Sequence, residues 1–185
     1  MTPVKGWIRD LVEWVLIFLV AFGIMALIRA FVVEPYTVPT GSMEHTIEIG
    51  DNVLAQKVSL EMGHGVSPGD IVVFKNPVPA TDHDVLVKRV IATAGQTVDM
   101  RDGTVYVDGQ ALDESYVTGF SYPLDVQATG VTISYPYTVP EGHVWLMGDN
   151  REDSADSRYF GAVPEENLIG VVFFRYWPFD RLGSL

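Results

Sequence analysis

The sequence predicts a mainly β protein with one N-terminal membrane-spanning helix, and three observations carry this prediction. Residues 14–28 (WVLIFLVAFGIMALI) form an uncharged apolar run near the N-terminus. Beyond residue 34 the helical periodicity ends, and short runs of β-branched and aromatic residues replace it. Glycine, proline, aspartate and asparagine bound those runs at regular intervals, which is typical of an antiparallel or mixed β fold.

Residues 1–33 are predicted to form a short stub and a membrane anchor. A helix needs about 20 apolar residues to cross the hydrocarbon core, and the stretch 11–33 is interrupted only by Glu13 and Arg29. Both charges lie near the ends of the run, where they can reach the lipid headgroups. A cleaved signal peptide is less favoured because Ile28 stands where a small residue is needed. A buried core helix would show a polar face, which this segment lacks.

Residues 34–185 are predicted to form one extracytoplasmic domain. Lys5 and Arg9 precede the span and favour a cytoplasmic N-terminus, although Asp10 and Glu13 reduce this bias. From residue 34 onward nine basic residues accompany 22 acidic ones, which argues against nucleic-acid binding because phosphates require cations. The chain has no cysteine, so disulfides, zinc–thiolate sites and thiol nucleophiles are excluded. The sequence predicts no metal site and no cofactor.

Turn signals divide the domain into short predicted strands. The signals include 68–70 (PGD), 102–103 (DG), 108–109 (DG) and 141–142 (EG). The segment between the two DG pairs resembles one strand of a hairpin. The predicted strands are 52–58, 70–75, 85–92, 97–99, 104–107, 131–134, 144–147 and 168–174. Residues 103–140 are predicted to form a smaller β lobe or a long excursion.

The candidate nucleophile is Ser42, in the sequence Thr40-Gly41-Ser42-Met43 just beyond the anchor. A glycine-preceded turn can expose a serine hydroxyl, but such dipeptides are also common in ordinary loops. Serine is a weak nucleophile until a base removes its proton. The turn therefore indicates a catalytic site only if the chain also supplies a base.

The candidate base is Lys88, within the apolar stretch 85–91 (VLVKRVI). Strand side chains alternate, so Lys88 shares one face with Leu86 and Val90. Burial among apolar neighbours lowers the pKa of a lysine toward the range that a general base needs. Arg89 stays protonated and cannot play this part. The alternative interpretation is that Lys88 lies on an exposed edge strand, where lysine discourages aggregation.

The segment 148–161 (GDNREDSADSRYFG) is predicted to be a loop held by its own ion pairs and turns. A calcium loop is an alternative, although the acidic spacing is not that of an EF-hand. A plain solvated loop is the other alternative.

Taken together and in this order, these segments resemble those of bacterial type I signal peptidases, peptidase family S26. After the apolar span, six further segments resemble motifs of this family in the same order. They are residues 34–43, 49–51, 69–74, 87–90, 148–158 and 175–178. The resemblance implies a signal-peptidase-like β core with a smaller second β lobe. It implies a membrane-anchored serine endopeptidase that acts on exported preproteins at the lipid bilayer.

The resemblance also implies roles for individual residues. Ser42 would attack the scissile carbonyl and Lys88 would accept its proton. The Ser42 N–H and the Thr40 hydroxyl would form the oxyanion hole, and Ser154 would orient Lys88. Two further groups are implied: pocket-lining residues that admit small side chains at substrate positions −1 and −3, and structural ion-pair residues. The first group is Tyr36, Val38 and Val87, and the second is Arg89, Asp149, Asp156 and Arg158.

The chain departs from the family pattern at two positions. Thr40 stands where the family commonly has serine, and it keeps the hydroxyl. His45 stands where the family usually has proline. His45 is therefore a rival base, because an unperturbed histidine titrates near neutrality, or simply a tolerated surface substitution.

Two other functions remain as alternatives from the sequence. A self-cleaving protease of the SOS-repressor type shares the Ser/Lys dyad, but it predicts a DNA-binding N-terminal domain where this chain has an apolar span. An anchored β module without catalytic activity would contain the same residues in an inert arrangement.

Overall fold

The computed structural model describes residues 4–78 and 83–185. The first three residues of the predicted stub lie outside this range. Helix α1 (Val4–Phe31) contains a segment, Arg9–Arg29, that is long and apolar enough to cross a membrane. None of this segment is buried against the rest of the protein. An apolar helix that packs on nothing has the character of a lipid-facing element.

Within the described residues the rest of the chain is mainly β, as predicted. The strands are β1 (Val33–Thr37), β2 (Asn52–Gln56), β3 (Ile71–Lys75), β4 (Val85–Thr93), β5 (Thr97–Arg101), β6 (Thr104–Val107), β7 (Gln110–Ala111), β8 (Tyr137–Thr138), β9 (His143–Met147), β10 (Val163–Pro164), β11 (Leu168–Trp177) and β12 (Gly183–Ser184). Two four-residue helices, α2 (Val58–Glu61) and α3 (Ser157–Phe160), lie between strands.

The larger sheet is antiparallel, with the order β1-β2-β11-β3-β4-β9-β10 and with β12 paired to β11. Strand β4 lies in its interior, between β3 and β9. The interpretation of Lys88 as an exposed edge-strand lysine is therefore wrong. Strand β3 is buried on both faces from Ile71 to Phe74, and this accounts for its continuous apolar sequence.

The smaller sheet has the order β7-β6-β5-β8 and begins at Thr97. Its two hairpin turns contain Asp102-Gly103 and Asp108-Gly109, in which all four residues have positive φ. This is the conformation of a type I′ turn, which matches the right-handed twist of paired strands. A core of β-branched and sulfur-containing side chains joins this sheet to β4 and β9 around the buried Trp145.

The strand predicted at 131–134 is wrong, since these residues form no strand. Val131 and Ile133 instead pack their side chains against two different core clusters. The alternation of apolar residues there reflects packing of an irregular segment. Among the described residues this segment pairs with no strand, and the smaller sheet takes β8 from the residues that follow.

Candidate active site

Ser42 lies in a single 3-10 turn, Gly41–Met43, which follows β1 by only a few residues. All three residues of this turn are buried. Thr40 precedes the turn with an extended backbone, and the Glu44 N–H closes it by donating to the Gly41 carbonyl at 3.0 Å. The short turn therefore presents the Ser42 side chain toward β4 and leaves it 7 % exposed.

Lys88 extends from the middle of β4 to the serine, so that its Nζ lies 2.5 Å from Ser42 Oγ. Nζ also donates to the Val87 carbonyl at 3.1 Å. The side chain is 2 % exposed, and this burial lowers the pKa of Lys88 from 10.5 to about 8. Asp156 and Asp149 oppose the shift through their charges, but burial outweighs them. About one tenth of the amine is therefore neutral at pH 7, and about half at pH 8.

Two clefts meet at Ser42. The first, the Tyr36 cleft, has about 490 Å³ of empty space, and its walls include Tyr36, Val38 and Val87. The second, the Lys88 cleft, has about 850 Å³ of empty space and is open to solvent. Ser42 lines both clefts, so a bound chain could run from one to the other past its hydroxyl.

Thr40 also lines both clefts, next to the serine. Its hydroxyl makes no capping hydrogen bond to the turn that follows. The side-chain oxygen of a threonine at a helix N-cap ordinarily accepts a hydrogen bond from a backbone N–H of the first turn. The Thr40 hydroxyl is therefore not committed to capping, and the residue borders both clefts.

Asn150 holds the turn that carries Ser42, Gly41–Met43, through its backbone. The sequence did not indicate this role. Its backbone N–H donates to the Ser42 carbonyl at 3.1 Å, and its side-chain amide donates to the Gly41 carbonyl at 3.1 Å. The same amide lies 3.3 Å from Glu44 Oε2. One asparagine thus fixes the backbone on both sides of the serine hydroxyl.

Gly148 allows this close approach between the two segments. A Cβ built on Gly148 would overlap with the Ser42 carbonyl oxygen and with Ser154 Oγ. The Ser42 carbonyl oxygen cannot move without displacing the turn that carries Ser42. The requirement for glycine here is therefore steric and arises from a contact more than 100 residues away in sequence.

Gly148→Ala is expected to destabilise the fold by about 1–3 kcal/mol, as overpacking does in a filled core, and to lower the peptidase activity by displacing Ser42. Gly183→Ala is the matched control, since a Cβ at Gly183 meets nothing within 4 Å. Chemical denaturation and peptide cleavage measure the two effects. Equal behaviour of the two variants would contradict the close approach.

The predicted ion-pair residues form two separate pairs around the dyad. Arg89 donates to both carboxylate oxygens of Asp149, at 2.9 and 2.6 Å. Arg158 likewise donates to both oxygens of Asp156, at 2.9 Å each. Both aspartates are fully buried. Asp156 also accepts from the Gly148 N–H at 3.1 Å, so this pair is tied directly to the segment that contacts Ser42.

Three further ion pairs, built on the buried side chains of Arg151 and Asp51, were missed by the sequence reasoning. Arg151 is paired with Glu114, from the irregular segment of the smaller lobe, and also contacts Ser121. A second, fully buried carboxylate is Asp51, which pairs with Arg175 and Arg181 near the C-terminus. No local signal marks these partners, because each pair joins segments that are far apart in sequence.

Ser154 Oγ is buried and has no hydrogen-bond partner among the described residues. It lies against Gly148, whereas the hydrogen bonds that Lys88 makes there go to Ser42 and Val87. The structure therefore brings Ser42 and Lys88 into contact but shows no hydrogen bond from Ser154 to Lys88. An unsatisfied buried hydroxyl costs about 1–3 kcal/mol, so its presence requires an explanation.

His45 is exposed, and it is absent from the walls of both clefts. Its φ of 77° lies in the left-handed region, which histidine tolerates better than most residues. Its N–H donates to Glu48 Oε1 at 3.3 Å. Proline could satisfy neither feature, because its ring fixes φ near −65° and removes the N–H.

His45→Pro, which restores the usual family residue, is therefore expected to destabilise this chain by more than about 1 kcal/mol. His45→Gly, which tolerates positive φ, is the control and should leave stability nearly unchanged. Thermal unfolding of the two variants distinguishes them. A proline variant as stable as the natural chain would show that this turn adopts another backbone.

The chain matches a family model described as signal peptidase, peptidase S26, over residues 11–177. A probable signal peptidase I-1 from Synechocystis is 38% identical over all of this chain and 91% of its own length. Signal peptidase IB from Staphylococcus aureus is 34% identical over 94% of this chain and 93% of its own length.

A crystal structure of a signal peptidase I from Enterococcus faecalis is 32% identical and covers 57% of this chain and 95% of its own, with a TM-score of 0.43. This TM-score is too low to establish a common fold. The family match and the two sequence relatives span nearly the whole chain, including the turn of Ser42 and the strand of Lys88. This chain therefore belongs to the signal peptidase family, peptidase S26.

Proposed function

We propose that this protein is a membrane-anchored serine endopeptidase that removes N-terminal signal peptides from exported preproteins, with Ser42 as nucleophile and Lys88 as general base. The observation that supports this most directly is the 2.5 Å contact between Lys88 Nζ and Ser42 Oγ. The amine is almost completely buried, and the two clefts on either side of the serine leave room for an extended peptide.

In the proposed reaction, neutral Lys88 takes the proton from Ser42 Oγ as the oxygen attacks the scissile carbonyl. The resulting ammonium gives that proton to the leaving nitrogen as the peptide bond breaks, and an ester to Ser42 remains. Lys88, neutral again, then activates a water that hydrolyses the ester. A base that works in both steps needs a pKa near the operating pH, and the burial of Lys88 supplies it.

The oxyanion that forms in this reaction would be stabilised by the Ser42 N–H and the Thr40 hydroxyl. Both residues border the two clefts where the substrate carbonyl would lie. Each preorganised donor is worth about 3–4 kcal/mol in comparable sites. The contacts of Asn150 with Gly41 and Ser42 support this arrangement because they fix the backbone that carries the N–H.

Substrate side chains at positions −1 and −3 would enter the Tyr36 cleft. Its walls are mainly apolar and include Tyr36 of β1, Val38 just beyond this strand, and Val87 of β4. We infer that these side chains limit the size of the substrate side chains that enter, so that alanine-like residues are favoured at −1 and −3.

The segment Arg9–Arg29 of α1 would anchor the protein, with the N-terminus in the cytoplasm and the catalytic domain outside. The helix is unburied along its whole apolar length, and β1 begins directly after it. Tyr36 lies in β1 and Val38 directly follows this strand, so the proposed binding cleft stays close to the bilayer. A signal peptide embedded in the same membrane would be confined near the enzyme, which raises its effective concentration.

We propose that Ser154 orients Lys88 in the acyl-enzyme. In that state Ser42 Oγ is esterified, so the Lys88 amine has lost it as a hydrogen-bond partner. Ser154→Ala is then expected to lower kcat by at least about tenfold, in the lower range of acid–base effects. The free energy of unfolding should not fall, and it should rise by up to about 1–3 kcal/mol, because the substitution removes a buried hydroxyl that has no partner. A variant with full kcat at every pH would remove Ser154 from the mechanism.

The experiment uses the full chain in phospholipid vesicles with a labelled preprotein that carries alanine at −1 and −3. We expect cleavage at that bond, none with Ser42→Ala, and none when the −1 alanine is replaced by tryptophan. Processing that persists in Ser42→Ala would overturn the proposed nucleophile. Breakage of the enzyme's own chain with the preprotein left intact would instead favour a self-cleaving protease.

A further inference from the structure

The two clefts differ in one respect that bears on the direction of the substrate. Lys88 borders the second cleft and is absent from the described walls of the Tyr36 cleft. On the proposed function, Lys88 must deliver its proton to the leaving nitrogen. That nitrogen therefore departs on the Lys88 side, which places the first residues of the mature protein in the Lys88 cleft and the signal peptide in the Tyr36 cleft.

The Lys88 cleft is wider than the Tyr36 cleft, and its walls combine apolar and charged groups. Leu86, Tyr159 and Phe160 contribute apolar surface, together with the small side chain of Ala155. Asp153 is the only carboxylate among its described lining residues. The Asp153 side chain is exposed, and its charge is felt at Lys88. With the lysine neutral in the reactive state, the aspartate gives this cleft a net negative charge.

We propose that the Lys88 cleft is a binding site for the first residues after the scissile bond, and that Asp153 makes it prefer a cationic residue there over an anionic one. The proposal rests on the proposed peptidase function and adds a substrate class to it: preproteins whose mature sequence begins with a lysine or arginine in its first two positions. The new N-terminal ammonium of the mature protein is attracted to the Asp153 carboxylate. This attraction keeps the mature protein near the enzyme until it dissociates.

Three peptides test this, identical except for lysine, glutamine or glutamate at the second position after the cleaved bond. They are assayed about one pH unit above the pKa of Lys88, where about nine tenths of the amine is neutral. We expect kcat/KM for the lysine peptide to exceed that for the glutamate peptide by about three- to tenfold, the range for an exposed charge pair. Added salt should reduce this ratio because it screens exposed charges.

The informative variants are Asp153→Asn, which should bring the ratio to about one, and Asp153→Lys, which should invert it. Glu152→Gln is the matched control: Glu152 is the adjacent carboxylate, but it packs against Gly119 and does not line the cleft. Each value is the ratio of kcat/KM for the lysine and glutamate peptides, measured with the same variant. A change in the reactivity of Lys88 alters both values of kcat/KM alike and therefore leaves the ratio unchanged.

A ratio that is unchanged in Asp153→Asn would overturn the inference. It would leave the proposed function standing if the glutamine peptide is still cleaved in a Ser42-dependent way. Failure to cleave any of the three peptides would overturn the proposed function and, with it, this inference. An equal loss of the ratio in Glu152→Gln would show a diffuse field of the acidic domain rather than a site at Asp153.

Discussion

Lys88→Met is expected to lower kcat/KM by at least about a thousandfold, since a general base in a dyad contributes on this scale. Methionine is nearly as long as lysine and fills most of its buried space, but it has no amine to accept a proton. The natural enzyme should show kcat/KM rising with pH and levelling off above a pKa of about 8. Lys75→Met, at the exposed end of β3, is the matched control and should keep full activity and the same profile.

The same substitution has a second expected effect, on stability. Burial lowers the pKa of Lys88 from 10.5 to about 8, so between these values the unfolded chain binds a proton that the folded chain does not. Stability of the natural protein relative to Lys88→Met should therefore rise with pH across this window, by about 3 kcal/mol in total. Lost hydrogen bonds add a constant offset that does not change with pH. A stability difference that is flat from pH 8 to 10.5 would contradict the burial of a titrating amine.

Asp156→Asn is expected to destabilise the protein by about 3–5 kcal/mol, because it leaves the Arg158 guanidinium buried without its counter-charge. Peptidase activity should also fall, because Asp156 accepts a hydrogen bond from the Gly148 N–H and so holds Gly148 beside the turn that carries Ser42. The measurement is chemical denaturation at neutral pH, with cleavage assayed where both proteins are folded.

The chain contains its own control for this prediction. Asp99 and Arg101 have the same residue types and the same spacing in sequence, with a 2.7 Å contact, but the Arg101 side chain is 56% exposed. Exposed pairs contribute at most about 1 kcal/mol, so Asp99→Asn should have a small effect. If the two variants lose equal stability, burial is not what gives the Asp156–Arg158 pair its importance.

The parts of the fold that depend on local sequence could be predicted. The type I′ turns at Asp102 and Asp108 follow from the aspartate–glycine pairs, and the extent of β6 agrees with the prediction. The contact between Ser42 and Lys88 was expected only because the whole set of motifs resembled a family. Taken alone, the sequence around Ser42 fits an ordinary turn as well as a catalytic site. The sequence around Lys88 likewise fits an exposed edge strand as well as a buried base.

The parts that depend on distant contacts could not be predicted. Asn150 donates to Gly41 across more than 100 residues, and Glu114 accepts from Arg151 across the boundary between the lobes. The failed strand at 131–134 has the same cause, since alternation shows which residues are buried but not whether a partner strand is available. His45 is a local exception: its positive φ arises from a turn that a proline would have excluded.

The most direct test of the central claim is an NMR titration of the Lys88 side chain in the natural enzyme, with the signal assigned by its loss in Lys88→Met. The account predicts that the Lys88 amine loses its proton with a pKa of about 8. A titration at or above 10.5, the value of a lysine in water, would show that the amine is charged when the enzyme works and cannot activate Ser42.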